Sequence, residues 1–245
     1  MTKTQKEALD EIGFDTSDYR IDEHVTDQKG LKADGTFTKW NQLTAEGKIM
    51  VPYYLENTVT AENHQQIHDE LVDFAFSVGC IEFVHDPDLT NDRGVYVIGQ
   101  TSVPADGSAE TGCWSYVGMC YSCGRGDYPS VKVGWQALRL PDWCISQGGI
   151  HHEFLHAIGL LHEQDRPYFE EHFHANSGGG SMSEANWFDT GHVLEPSSNL
   201  MYPGFSLKNG RSYQSHPLLT TTDSVQVEHF LRSGYSKWSI YGQMF

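Results

Sequence analysis

The residues best suited to chemistry stand in one run, His152-Glu153-x-x-His156-x-x-Gly159-x-x-His162, within HHEFLHAIGLLHEQDRPY at 151 to 168. On a helix at about 100° per residue, His152 and His156 project from one face a turn apart, so two imidazoles can meet one cation at about 2.0–2.1 Å. A third ligand only three residues past Gly159 must come from chain that has left the helix, and glycine enters a left-handed turn without a Cβ penalty. His162 then completes the set. Three neutral imidazoles leave a zinc dication its charge and one open position, where water loses its proton far more readily than in bulk. Glu153, beside the first ligand, is placed to take that proton and pass it to a leaving amine. The chemistry such a set supports is hydrolysis at a polarised carbonyl, with one catalytic Zn2+ as cofactor.

Five fixed residues at these spacings arise by chance in a chain this long roughly once in ten thousand times, if each position matches about one time in twenty. The same chain holds a comparison: His64 and His68 share the i, i+4 spacing but lack the adjacent Glu, the following Gly and a third His, so they read as ordinary helix residues. His151 would point about 100° away from His152 and reads as a supporting or surface residue. His172 and His174 read as part of a solvated loop. Cys144, just before the motif, reads as buried or disulfide-bonded, since no side-chain nucleophile is needed beside an activated water.

The elements that must position this run follow from periodicity. KIMVPYYL at 48 to 55 reads as a strand, with Pro52 suggesting a place near a sheet edge. From Thr60 to about Val78, Ile67, Leu71, Phe74, Ala75 and Val78 share one helical face, and Thr60 with Asn63 forms a start signal. CIEFVHD at 80 to 86, GVYVIGQ at 94 to 100, GCWSYVG at 112 to 118 and SVKVGWQ at 130 to 136 read as strands divided by Asp, Gly, Pro and Ser turns. A second helix is expected over 147 to 160. Beyond it the chain reads as irregular until TTTDSVQVEHFLR at 220 to 232, a short closing helix. Residues 1 to 30 are polar and acidic with weak periodicity, so ordered structure is expected from near Trp40.

The chain has 245 residues and a net charge of −17, a field that repels phosphate backbones and argues against nucleic acid or an anionic membrane as partner. No apolar run approaches the roughly 20 residues that span a bilayer, and the opening MTKTQKEALDEIGFD lacks the apolar stretch of a signal peptide. Five cysteines stand at 80, 113, 120, 123 and 144. The odd count leaves at least one outside any intrachain pairing, and some of the rest are expected as disulfides formed in an oxidising compartment.

HEFLHAIGLLHEQDRP resembles the zinc signature of the astacin family of metzincin peptidases, with Glu163 directly after the third histidine, Arg166 three residues later and Met201 in SSNLMYPG as the downstream Met-turn. VPYYL, CIEFV, GCWSYVG and LTTTDSVQVEHF resemble astacin segments in the same order, so the likeness covers about 40 to 240. It implies an α+β fold in two subdomains: an N-terminal twisted mixed sheet with two helices, then an irregular C-terminal half ending in a short helix. The implied activity is a secreted, monomeric zinc endopeptidase acting on protein or peptide substrates. In this family maturation frees a buried N-terminus that pairs with the glutamate matching Glu163. Counting back from Trp40 places that N-terminus near Leu31, dividing a pro-segment at 1–30 from a peptidase domain at 31–245.

The resemblance carries further residue roles. Asp15 or Asp18, in Phe14-Asp15-Thr16-Ser17-Asp18, stands where a pro-segment aspartate would block the metal. Met201 packs beneath the site rather than ligating. The family's transition-state tyrosine lies two residues after the Met-turn methionine, whereas here Tyr202 follows Met201 immediately. Leu200-Met201-Tyr202-Pro203 reads more like a matrixin, which makes a matrixin-like metzincin the alternative. A zinc-containing inactive binding module is a further alternative. Glu153 weighs against it, because a structural zinc needs no general base and prefers four protein ligands. The resemblance also implies a Cys113–Cys144 disulfide. The family usually joins a cysteine matching Cys80 to one near the C-terminus, and no cysteine follows Cys144 here; Cys120 and Cys123, in an apparent insertion, are expected to pair with each other or with Cys80.

Overall fold

The structure, a computed structural model, describes residues 39–107, 112–160 and 162, together with the backbone of 173–174 and 206–207. Its centre is a mixed sheet of six strands. These are β1 (Gln42–Leu43), β2 (Ile49–Leu55), β3 (Ile81–His85), β4 (Val95–Ile98), β5 (Trp114–Ser115) and β6 (Gln136–Arg139). The order runs β1-β2-β4-β6-β5, with β3 paired to β2 as well; β2, β3, β4 and β6 are mutually parallel, and β1 and β5 are antiparallel to their neighbours. Parallel strands require crossovers, and the 18-residue helix α1 (Ala61–Val78) supplies the one from β2 to β3.

α1 begins at Thr60, whose hydroxyl accepts from the Asn63 amide at 3.3 Å, and it stops at Gly79. The expected face is the buried one: Ile67, Leu71, Phe74 and Val78 lie in the main core, with Ala75 packed against it. Phe74 stacks on Phe83 of β3 at 5.2 Å between centroids, and Phe83 meets Phe154 edge-on at 5.3 Å. Phe154 belongs to α2 (Gln147–Ile158), the helix that carries His152, Glu153 and His156. Eight of its twelve residues are buried, because α1 covers one side and β5 another. Its start is fixed by Ser146, whose hydroxyl accepts from the Gly149 amide at 3.2 Å.

Two strand expectations are corrected. Pro52 lies inside the sheet, not at its edge, because β2 pairs with β3 on one side and with β1 and β4 on the other. The Ile49 amide bonds toward β3 and the Glu56 amide toward β4, so alternation turns the Pro52 nitrogen to the β1/β4 side. There β1 has ended at Met50 and β4 begins only at Tyr53, so no ladder bond is lost. The strand expected at 130 to 136 instead occupies Gln136–Arg139. Gly134 has φ +92°, and a Cβ there would overlap the Asp92 carbonyl, so 130–135 is a turn. The true strand is buried on both faces, and a continuous buried run shows no alternation to find. His174 also departs from the loop expectation, since Phe173–His174 and Ser206–Leu207 form a two-residue antiparallel ladder. The closing helix expected at 220 to 232 lies outside the described residues.

Trp40, 2% exposed, ties the start of the described residues to the end of α2: its indole donates to the Ala157 carbonyl at 2.8 Å. That carbonyl is in the last turn, where no intrahelical donor follows. Trp40→Phe is expected to cost about 1–3 kcal/mol, the lost bond plus a small cavity, read as a lower urea midpoint at unchanged slope.

Candidate metal centre

α2 delivers two imidazoles and the turn after it delivers the third. The Nε2 atoms of His152, His156 and His162 lie 3.2, 3.0 and 3.2 Å apart: His152 to His156, His156 to His162, and His152 to His162. Among the described residues this is the one cluster of three or more metal-ligating side chains with such spacing. The turn depends on Gly159, which has φ 134° and ψ 8°. Its amide and that of Leu160 both bond to the Leu155 carbonyl, at 3.1 and 3.0 Å, and the chain then doubles back toward the helix. An L side chain at this φ is strained by about 1–3 kcal/mol. Gly159→Ala is therefore expected to weaken zinc binding by about tenfold or more, measured by competition against a chromophoric chelator.

The donor chemistry can be assigned at one ring. His156 Nδ1 faces the Leu160 carbonyl oxygen at 2.7 Å, and since a carbonyl only accepts, Nδ1 carries the proton and Nε2 keeps its lone pair. Burial, then the neighbouring His152 and His162, hold His156 well below the ordinary histidine pKa, so the ring is neutral. Three nitrogens spaced 3.0–3.2 Å suit one ion. His152, His156 and His162 would hold a zinc ion, which would supply Lewis-acid chemistry there.

Glu153 is 6% exposed and its Oε2 has no hydrogen-bond partner among the described residues. Burial alone pushes its carboxyl up to about 8. A buried, unpaired carboxylate is costly, and a nearby cation is the compensation its chemistry asks for. The residues present therefore fit a divalent metal.

Of the supports around the site, the two bridges match pairings the resemblance left open, while the Gly118 contact carried no sequence signal. The Gly118 amide donates to the His156 carbonyl at 2.8 Å, which anchors α2 to the segment after β5. Cys113, just ahead of β5, is bridged to Cys144, in the 3-10 turn Asp142–Cys144 that leads into α2, with Cα atoms 6.2 Å apart. A second bridge joins Cys120 to Cys123, and Cys80 belongs to neither. His151 is not a surface residue. It is buried, stacks on Phe74 at 5.4 Å, and its Nε2 lies 3.1 Å from the Glu70 carbonyl on α1. His68, an exposed residue, is engaged by a hydrogen bond, with Nδ1 2.8 Å from the Tyr53 hydroxyl. Tyr202, Met201, Glu163, Asp15, Asp18 and the segment 1–30 lie outside the described residues.

A mixed sheet backed by two helices, the second carrying three converging histidines and a buried glutamate, is an α+β fold built around a candidate metal centre. The family model described as Astacin, a peptidase family, matches residues 36–190, and the chain belongs to this family. It is 28% identical over 216 residues to zinc metalloproteinase nas-13 of Caenorhabditis elegans, covering 84% of this chain and 40% of that protein. It is 25% identical over 224 residues to high choriolytic enzyme 1 of Oryzias latipes, covering 88% of this chain and 72% of that one. The solved structure of high choriolytic enzyme 1, a hatching enzyme zinc-protease from the medaka, superposes with a TM-score of 0.61 at 17% identity, covering 84% of this chain and all of that one. That likeness shows the fold. The chain spans two fifths or less of the length of the first curated relatives it matches.

Proposed function

We propose that the chain is a zinc-dependent endopeptidase, hydrolysing internal bonds of protein or peptide substrates. The observation that carries this reading is the convergence of three imidazole nitrogens beside a buried carboxylate with an unpaired oxygen. A zinc ion held by His152, His156 and His162 would supply Lewis-acid polarisation of the scissile carbonyl and make water acidic enough to react near neutral pH. Glu153 takes a proton from the attacking water on the carboxylate oxygen and later delivers it to the leaving amine nitrogen. The bond from His156 Nδ1 to Leu160 holds that ring so that Nε2 points at the site. An extended substrate strand would add to an edge of the sheet.

Beyond these residues the proposal follows the family resemblance. Tyr202 is the candidate transition-state stabiliser, Met201 the packing residue beneath the metal, and Glu163 the partner of a mature N-terminus near Leu31. Residues 1–30, with Asp15 or Asp18 against the metal, form the blocking segment. Two disulfides agree with export to an oxidising compartment.

The test is cleavage of an unfolded protein by zinc-loaded protein from which residues 1–30 have been removed. Internal cleavage, stopped by a chelator, restored by zinc and weaker in the untrimmed chain, is the expected outcome. Zinc binding without turnover of any peptide library would instead support the inactive binding module.

A further inference from the structure

The Cys120–Cys123 bridge closes a single turn, and hydrogen bonds join that turn to the backbone of a metal ligand. The Cys120 amide donates to Gln136 Oε1 at 2.7 Å, and Gln136 Nε2 donates to the Gly118 carbonyl at 3.0 Å. The Gly118 amide in turn donates to the His156 carbonyl at 2.8 Å. The far end of the turn is held as well, since the Ala137 amide donates to the Cys123 carbonyl at 2.9 Å. Gln136 is 1% exposed, so its two bonds meet no competing solvent and either one lost leaves a buried group unpaired. Between the cysteines, Ser122 has φ +62°, a region a non-glycine residue avoids unless its surroundings impose it. The closed ring is one such constraint, and the bond from the Gly134 amide to Ser122 Oγ at 2.8 Å is the other.

We propose that Cys120–Cys123 is a reversible thiol–disulfide exchange site whose opening by a dithiol loosens the Gly118 contact to His156 and with it the positioning of α2 at the metal centre. A thiolate of the dithiol attacks the sulfur of Cys123, a half-buried residue, the bond to Cys120 breaks, and Cys120 leaves as a thiolate. The second thiol of the dithiol then attacks its own bridged sulfur and releases Cys123. Two electrons pass to the pair, the dithiol becomes a cyclic disulfide, and its two protons end on Cys120 and Cys123. The other bridge resists this exchange. Cys113 and Cys144 are 31 residues apart in sequence and are held together by packed core around both, so folding itself presents them to each other. Opening the short ring has the opposite tendency, because it lets Ser122 leave its left-handed conformation.

The exchange step stands on the fold alone; its consequence for zinc rests on the metal-centre reading above. The full chain would be equilibrated in graded mixtures of reduced and oxidised dithiothreitol, alkylated, and mapped by mass, with amide hydrogen exchange followed on the same samples. Cys120 and Cys123 are expected to become alkylated at a less reducing ratio than Cys113 and Cys144. Exchange of the Gly118 amide should rise about tenfold or more with the same midpoint, α1 should stay protected, and reoxidation should reverse the change. The double variant Cys120→Ser/Cys123→Ser should show the fast Gly118 exchange and no response to dithiol. Simultaneous opening of both bridges would overturn the proposal, as would Gly118 exchange that stays flat while Cys120 and Cys123 open. Zinc affinity measured in parallel should fall as the pair opens. Failure to bind zinc at every ratio would count against the metal reading while leaving the exchange result to be judged by itself.

Discussion

Glu153→Gln is expected to lower turnover of an unfolded protein substrate by about 10²–10⁴-fold while zinc content and substrate affinity stay close to those of the parent. The amide keeps the size of the side chain but cannot accept and return a proton. The same substitution has a second expected effect on the chelated protein, with a sign opposite to the usual cost of a core change. Burial raises the folded-state pKa of Glu153 from 4.5 to about 8. Below pH 4.5 the carboxyl is protonated whether the chain is folded or not, and no penalty arises. Between 4.5 and 8 the folded state holds a proton that the unfolded state has released, so stability falls as pH rises. Above 8 the folded protein must bury an ionised carboxylate, at a cost on the order of a few kcal/mol. Urea unfolding of metal-free protein should therefore find Glu153→Gln more stable than the parent at pH 9 and nearly equal at pH 4. Equal stability at both values would mean that the carboxylate is compensated by something other than a cation. Activity and stability are opposed at this residue, as expected where function requires a buried, unpaired group.

His156→Ala is expected to have the largest effect on the metal. It removes one of three ligands, so zinc affinity should fall by more than the roughly 10–100-fold that loss of an outer partner costs. Turnover should fall with it at any zinc concentration that leaves the variant unloaded. His68→Ala is the matched control. That residue also stands four places after another histidine on a helix, but its ring is engaged by the Tyr53 hydroxyl at 2.8 Å, so zinc affinity should not change. Equal losses in the two variants would count against the assignment of zinc to His152, His156 and His162.

The convergence of the three histidines was legible because local geometry determines most of it. Helical spacing aligns His152 with His156, and only a residue tolerating φ 134° at position 159 lets His162 return. α1 was equally clear, since an amphipathic face and a capping threonine are local signals. What could not be read is what depends on neighbours distant in sequence. Pro52 suggests an edge until the gap between β1 and β4 is known. The Val131-Lys132-Val133 alternation imitates a strand, yet the strand is the uniformly buried Gln136–Arg139 just after it. His151 has a surface residue's composition and a core residue's place, because α1 lies across that face of α2. The bonds from Trp40 to Ala157 and from Gly118 to His156 join residues 117 and 38 positions apart, with no motif to announce them.

The central claim, one zinc on three imidazoles, is tested most directly by zinc-edge X-ray absorption on protein reconstituted with a single equivalent of Zn2+. The account predicts nitrogen and oxygen scatterers at about 2.0–2.1 Å, with the outer-shell pattern of three imidazole rings. Sulfur scattering at about 2.3 Å, or a shell of oxygen atoms with no imidazole pattern, would contradict it.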